Sequence, residues 1–160
     1  MNNIKRYFSL LILLLILVNF EATANKRKEK FNSDWLFVKD TCDFSKAQPI
    51  NLPHDWSILE KFDKTSESGN DGGYLPTGKG YYKKKFNLSA SELEKIHRLY
   101  FEGVYMNSEV WVNGKLAGGW PYGYTSFWVD MSPYLKEGDN EIIIKVDNSQ
   151  QKNSRWYSGS

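Results

Sequence analysis

The side chains best suited to chemistry in this sequence are aromatic rings and amides. Six Trp and ten Tyr occur in 160 residues, and each ring combines an apolar face with one polar group. Such rings stack on the apolar faces of sugars, while Asn and Asp hydrogen-bond to sugar hydroxyls. The alternative is a structural role, because aromatic rings also fill the cores of β-sandwiches. We expect core positions for Trp35, Trp111 and Phe127, whereas core packing and surface contact are equally open for residues 120–124, Trp-Pro-Tyr-Gly-Tyr.

No motif of a common catalytic centre is present. The sequence lacks G-x-S-x-G, H-E-x-x-H, G-x-x-x-x-G-K-[ST] and G-x-G-x-x-G. His54 and His97 are far apart, and no motif links either of them to Cys42, the one cysteine. We expect Cys42 to be a small buried apolar residue, as free cysteines commonly are. The sequence therefore predicts no catalytic residue, no metal site and no cofactor.

Length and charge exclude further classes of protein. The chain has the length of one domain, and a (β/α)₈ barrel of roughly 250 residues does not fit in it. Lys and Arg number 21 and Asp and Glu number 19, which gives a net charge of +2. This balance argues against a nucleic-acid partner, because such proteins carry a strong basic patch.

The first 24 residues have the pattern of a secretory signal peptide. Lys5 and Arg6 precede an apolar run over residues 8–18, and Ala22-Thr23-Ala24 forms a small-residue cleavage site. The alternative, a membrane anchor, needs about 20 apolar residues. We therefore expect an exported protein, periplasmic or extracellular, with no membrane association after cleavage and a flexible start over residues 25–30.

The remaining sequence is rich in strand-forming residues and poor in helical periodicity. Asn113-Gly114 between two apolar runs is a strong hairpin signal, residues 137–140 read as a turn, and a long glycine-rich loop spans 58–79. Many short strands with turn signals predict an all-β sandwich or barrel. The expected strands are Trp35–Lys39, Gly80–Leu88, Arg98–Gly103, Glu109–Val112, Lys115–Ala117, Thr125–Asp130 and Glu141–Val146.

Five ordered sequence blocks resemble the N-terminal sugar-binding domain of glycoside hydrolase family 2. The likeness covers residues 31–160 and is strongest to the exported β-galactosidases of Bacteroidetes-type bacteria. β-Glucuronidases and β-mannosidases share the architecture, so the sugar stays open. The blocks are Asn51–Trp56, Gly73–Pro76 followed by Gly80–Tyr82, Phe101–Gly114, Pro121–Tyr124, and Val146–Gln151 followed by Asn153–Gly159.

The resemblance implies a jelly-roll, galactose-binding-like β-sandwich over residues 31–160. In the family, an immunoglobulin-like domain and a (β/α)₈ barrel follow, and the barrel carries the two glutamates of a retaining glycosidase. Because the chain stops within the last block, we expect a domain truncated at its C-terminus and inactive alone. The implied partners are a β-galactoside-type carbohydrate and the remaining domains of the parent glycosidase, and a homo-oligomer of the full enzyme is also allowed.

The resemblance also points to three sugar-contacting residues. Family members use an Asn after the Gly-Val of the third block and an Asp after the last strand. Here Tyr105 follows Gly103-Val104, and Asn107 comes two residues later. Asp147 and Asn148 follow the last strand, although Asp147 could instead bond a local backbone amide. We expect Asn113 and Asp55 to have structural roles.

Two other functions stay open at this point. The aromatic and amide-rich loops also suit a free-standing carbohydrate-binding module. A purely structural domain that contacts other subunits is equally compatible with a β-sandwich that has open sheet edges.

Overall fold

The computed structural model describes residues 27–70 and 72–149. The chain divides into two compact units, Met1–Phe31 and Asn32–Ser160. In the first unit the described residues have no regular secondary structure, and Arg27 pairs with Glu29 at 2.6 Å. The expected signal peptide lies outside the described residues. Within the described ranges, no helix is long and apolar enough to cross a membrane.

The regular secondary structure of the second unit is almost entirely β-strand. One helical turn, α1 (Ala90–Leu93), begins with a capping box in which Ser89 and Glu92 bond each other's backbone amides. Single 3₁₀ turns cover Phe44–Lys46, Ser57–Leu59 and Ser132–Tyr134. The strands of the described chain are β1 (Trp35–Lys39), β2 (Gln48–Ile50), β3 (Lys79–Leu88), β4 (Arg98–Phe101), β5 (Ser108–Val112), β6 (Lys115–Trp120), β7 (Phe127–Asp130) and β8 (Gly138–Asp147).

The strands form two antiparallel sheets. The larger sheet has the order β2-β1-β3-β8-β5-β6, and β4 pairs with β7 in the smaller sheet. β8 is the last strand in the described chain, yet it lies in the middle, between β3 and β5. The predicted all-β class and β-sandwich architecture are confirmed.

Alternation along the strands decides which side chains form the core. Ile142 in β8 and Val110 and Val112 in β5 are completely buried. Trp35 and Phe127 are buried as expected, but the prediction for Trp111 is wrong. It lies between Val110 and Val112, so it points to the opposite face and is only half-buried.

The prediction for Cys42 is also wrong, because this thiol is exposed. It lies just after β1, in a stretch of bends. Several strand boundaries differ from expectation as well. β4 ends at Phe101 rather than at Gly103, and β7 begins at Phe127 rather than at Thr125. β3 and β5 each begin one residue earlier than expected, and β8 ends one residue later. Residues 138–140 belong to β8 rather than to a turn, and β6 continues past Ala117 to Trp120.

The hairpin between β5 and β6 is bonded to the start of β8 by side-chain amides. Asn113 has φ of +48°, a conformation that Asn tolerates better than most residues. Its Nδ2 donates to Tyr134 O and to Asn140 Oδ1, each at 2.8 Å, and its Oδ1 accepts from Glu141 N at 3.0 Å. The expected structural role of Asn113 is therefore confirmed.

Candidate functional site

Antiparallel pairing brings the three sequence-predicted site residues to one end of the larger sheet. β8 ends at Asp147, where Lys79 begins β3, and Asn107 directly precedes β5 on the other side of β8. We call the group of Asn107, Asp147 and Asn148 the polar end. Strand direction and register alone place these residues together, although Asn107 is 40 positions from Asp147.

Asn107 is held in a left-handed turn by backbone bonds to two other segments. Its φ is +46°, and its N–H donates to Pro121 O at 3.2 Å. Its Nδ2 donates to Asp147 O at 3.2 Å, and Asp147 N donates to Met106 O at 2.9 Å. This bond uses one of the two Nδ2 hydrogens of Asn107, and Oδ1 is the atom of this side chain that could accept a bond from a ligand.

The two carboxylate oxygens of Asp147 have different surroundings. Oδ1 accepts from Ser149 N at 3.1 Å and from Ser149 Oγ at 2.6 Å. Oδ2 lies 3.8 Å from Lys79 Nζ. Partial burial raises the pKa of Asp147, but the two Ser149 bonds and the nearby Lys79 and Lys145 outweigh it and lower the pKa below its ordinary value. Asp147 is therefore ionised at neutral pH, with Oδ2 as the oxygen that could face a ligand.

The Ser149 contact repeats a local motif of this chain. In the pattern Asp-x-Ser/Thr, the carboxylate accepts the backbone N–H two residues later, which closes an Asx turn. Four other aspartates do the same: Asp43, Asp55, Asp63 and Asp130. The local structural role considered for Asp147 is thus present at Oδ1, and the expected structural role of Asp55 is confirmed.

Asn148 joins the end of β8 to the residue before β3. Gly78 N donates to Asn148 Oδ1 at 2.8 Å, and Asn148 N donates to Gly78 O at 3.1 Å. Within residues 27–70 and 72–149, Asn148 Nδ2 forms no hydrogen bond. The polar end therefore offers donors at Asn148 Nδ2 and at the second N–H of Asn107 Nδ2, and acceptors at Asn107 Oδ1 and Asp147 Oδ2.

The lysines beside the polar end both face carboxylates. Lys145 Nζ donates to Glu109 Oε1 at 2.8 Å, and Lys79 faces Asp147. The hydrogen bond to Glu109 raises the pKa of Lys145, and the same bond lowers the pKa of Glu109. Both side chains are charged at neutral pH, so each positive charge near the polar end has a negative neighbour.

The Pro-His-Asp-Trp block forms an aromatic cluster against β1 and β3. Trp56 stacks on Phe37 with ring centroids 5.7 Å apart, and His54 Nδ1 lies 3.1 Å from the Tyr82 hydroxyl. Partial burial lowers the pKa of His54, partly opposed by Asp55, and burial raises the pKa of Tyr82. In the described part of the chain, Trp56 Nε1 is the one buried side-chain polar atom without a partner.

Sequence reasoning missed Gly78, Lys79 and Ser149, which hold or face the polar end. The Asp-x-Ser spacing could have identified Ser149. Gly78 and Lys79 depend on pairing between β3 and β8 and have no local signal. Among the described residues, no cluster of His, Cys, Asp or Glu has the arrangement of a metal site.

Two antiparallel sheets with very little helix define a domain of the β-sandwich class. The sequence model described as "Glycosyl hydrolases family 2, sugar binding domain" matches residues 21–160. The chain therefore belongs to glycoside hydrolase family 2, as its sugar-binding domain.

Named relatives and solved structures agree with this assignment. A β-galactosidase of Bacteroides ovatus is 44% identical over 144 residues, which cover 84% of this chain and 17% of the relative. A β-glucuronidase of Formosa agariphila is 32% identical over 132 residues, 75% of this chain and 13% of the relative. A β-glycosidase structure from Bacteroides vulgatus superposes with a TM-score of 0.73 at 37% identity, covering 82% of this chain and 18% of that one. The chain thus spans less than a fifth of each of these proteins.

Proposed function

We propose that this chain supplies the sugar-binding domain of an exported, retaining β-glycosidase that acts on β-galactosides. The main observation in support of this proposal is the family match over residues 21–160, together with relatives that are several times longer than this chain. In this proposal the catalytic carboxylates belong to another part of the parent enzyme, and the polar end binds hydroxyls of the terminal sugar.

The charges at the polar end favour a neutral sugar over a uronic acid. Lys145 is engaged by Glu109, and Lys79 faces Asp147, so neither lysine is unopposed. The carboxylate of a glucuronide would also lie near the ionised Asp147, and like charges at short range repel. A galactose hydroxyl, in contrast, can donate to Asp147 Oδ2 or Asn107 Oδ1 and accept from Asn148 Nδ2.

Two conservative variants test the polar end. Asn148→Asp keeps an oxygen for the Gly78 bond but removes the Nδ2 donor, and Asp147→Asn keeps the Ser149 turn but removes the charge. We expect each variant to weaken binding of methyl β-D-galactoside by about fivefold to tenfold, the effect of one lost hydrogen bond. The measurement is calorimetric or NMR titration of the full chain.

Asp130→Asn is the matched control, because Asp130 forms the same kind of turn in the smaller sheet. Its galactoside affinity should equal that of the unmodified chain. Wild-type affinity in both polar-end variants would contradict the proposed sugar contact, as would tighter binding of methyl β-D-glucuronide than of the galactoside.

The extent of the parent protein needs a separate test. An antibody against this domain should detect, in the native cells, an exported product larger by at least the ~250 residues of a barrel. A band at the size of this chain would contradict the proposal that one polypeptide carries both the sandwich and the barrel.

A second candidate function is an interaction domain that contacts other parts of an enzyme. The observation in its favour is the loop after the Pro-His-Asp-Trp block, where Ile58, Leu59 and Phe62 are 74%, 84% and 76% exposed. These side chains lack polar groups and therefore suit a protein surface better than a sugar. This role is compatible with the first, because both can belong to one multidomain enzyme.

A further inference from the structure

Three large aromatic side chains stand exposed beside the polar end. Trp120 ends β6, and Tyr122 and Tyr124 lie in the loop that leads to β7. They are 40%, 45% and 43% exposed. Single exposed aromatics are common, but an exposed group within five residues indicates a binding surface. We call Trp120, Tyr122 and Tyr124 the aromatic platform.

The aromatic platform is held in place by packing and hydrogen bonds. Tyr122 and Tyr124 have ring centroids 5.7 Å apart, and Tyr124 meets the edge of Tyr105 at 5.4 Å. Trp120 stacks on Phe127 at 5.9 Å, and its Nε1 donates to Thr125 Oγ1 at 2.9 Å. These contacts fix the rings before a ligand arrives, which reduces the entropic cost of binding.

Gly123 allows the platform loop to lie directly on Tyr105. A Cβ added at Gly123 would lie 3.0 Å from Tyr105 Cγ and 3.1 Å from Tyr105 Cα. A larger residue would therefore lift the loop away from Tyr105. The close approach sets the position of Tyr122 and Tyr124 on either side of this glycine.

Backbone bonds make the platform continuous with the polar end. Asn107 N donates to Pro121 O, between Trp120 and Tyr122. Ser108 Oγ lies 3.1 Å from Trp120 O and 3.2 Å from Trp120 N. The segment that presents Asn107 is therefore bonded to the segment that presents the platform.

We propose that the aromatic platform binds a second pyranose ring of a β-linked oligosaccharide whose terminal sugar lies at the polar end. This proposal rests on the proposed function. A pyranose has apolar C–H faces that suit an aromatic ring and hydroxyls at its rim that suit a phenol group such as that of Tyr122. The side chains of Ile58, Leu59 and Phe62 lack such polar groups. A sugar is therefore the favoured ligand of the platform, whereas a protein is the favoured partner of the loop that contains these three residues.

The test compares a monosaccharide with longer probes on the full chain. Affinities for methyl β-D-galactoside, β-1,4-galactotetraose and cellotetraose are measured by titration in unmodified protein and in Tyr122→Ala. We expect a tetrasaccharide to bind more tightly than the monosaccharide. Tyr122→Ala should weaken tetrasaccharide binding about fivefold, as expected for loss of one aromatic contact, and leave the monosaccharide affinity unchanged.

Two further variants separate stacking from loss of structure. Tyr122→Phe keeps the ring and loses only the phenol group, so it should bind the tetrasaccharide more tightly than Tyr122→Ala does and less tightly than the unmodified chain does. Leu116→Ala, at an exposed position of the same β6 strand, should have no effect on either probe. Trp120 also gives an independent signal, because its fluorescence should change with the tetrasaccharide and not with the monosaccharide.

Equal affinity of Tyr122→Ala and unmodified protein for both tetrasaccharides would overturn the platform proposal, as would no tetrasaccharide binding at about 10 mM. Loss of binding to other enzyme domains in Tyr122→Ala, without a change in sugar affinity, would make the platform a protein contact and also overturn it. The polar-end variants Asn148→Asp and Asp147→Asn report on the proposed function separately, through the monosaccharide affinity.

Discussion

The two carboxylate oxygens of Asp147 separate an observed structural role from the proposed sugar contact within one side chain. Oδ1 closes the turn with Ser149, as the equivalent oxygen does at Asp43, Asp55, Asp63 and Asp130. Oδ2 is oriented towards Lys79 at 3.8 Å. Alanine at position 147 would remove both roles, whereas asparagine keeps one oxygen for the Ser149 turn and replaces the other by an uncharged N–H donor. Any study of sugar binding at this position therefore depends on which substitution is chosen.

Acid titration should show the contribution of the Asp147 carboxylate to stability. Its pKa in the folded chain is below the ordinary Asp value of 3.8, so the folded state favours the ionised form. The stabilisation is present above about pH 4 and is lost as the pH falls through the lowered folded-state pKa. In Asp147→Asn, thermal unfolding midpoints should fall less between about pH 5 and pH 2 than in unmodified protein.

Ser149→Ala is the control for this titration, because it removes the hydroxyl bond to Asp147 and leaves the charge. Its acid sensitivity should lie between those of the unmodified chain and Asp147→Asn. Parallel midpoint curves for all three proteins across this pH range would show that Asp147 does not carry the predicted stabilisation.

The sequence named the three residues of the polar end, whose sugar contact is a proposal, but it did not name the residues that support them. Asn107, Asp147 and Asn148 stand in blocks that resemble a known family, so their identity is visible in the sequence. Gly78 supports Asn148 across a separation of 70 positions, and no local pattern encodes such a contact. The sequence also does not show that one oxygen of Asp147 closes a turn while the other could face a ligand. The two oxygens are chemically equivalent, and only the folded structure gives them different surroundings.

At the level of elements, local patterns predicted the strands in which apolar and polar residues alternate and missed strand residues without that pattern. Trp35–Lys39 was predicted with its observed bounds. Gln48–Ile50 was missed because it is short and contains Pro49, which usually argues against a strand. β2 tolerates the proline because it is at the edge of the sheet. Residues 138–140 read as a turn, yet they pair with Leu88, Asn87 and Phe86 of β3.

Close packing between Trp56 and β3 should make Gly80 sensitive to substitution. A Cβ at this position would lie 2.8 Å from Trp56 Cε3 and 3.0 Å from Phe37 Cε2. We expect Gly80→Ala to reduce the free energy of unfolding by about 1–3 kcal/mol, because two packed rings must shift. Chemical denaturation of the full chain measures the change.

Gly118→Ala is the matched control, since a Cβ there meets Val129 at an ordinary 3.4 Å. Its destabilisation should be within about 0.5 kcal/mol of zero. If the two alanine variants unfolded at the same denaturant concentration, the packing of Trp56 would not explain why residue 80 is glycine.

At the level of the whole molecule, the two sheets differ in size and the surface carries an apolar loop. Six strands form one sheet and two form the other in the described chain. Ile58, Leu59 and Phe62 are largely exposed beside this core, so they contribute little burial to folding. Exposed apolar groups of this kind mark an interaction surface or promote aggregation.

Replacing these three residues by serine should separate solubility from stability. We expect the triple variant to aggregate less on heating and to keep its unfolding midpoint within about 2 °C, because the exposed side chains bury little area. Light scattering and circular dichroism during the same thermal ramp measure both properties. A large drop in the midpoint would mean that the loop packs against the sandwich in solution.

The central position of β8 also sets the order in which the sheet can be completed. β3 and β5 do not pair with each other, and each of them pairs with β8 along its length. β8 is synthesised after all seven other described strands, at a ribosomal rate of about 5–20 residues per second. β8 therefore becomes available for pairing with β3 several seconds after β3 has been synthesised. The two paired segments are about 60 positions apart, a separation typical of slow-folding β-proteins. Until β8 is available, the larger sheet consists of two separate parts, β2-β1-β3 and β5-β6, and each part has an open edge where β8 will pair.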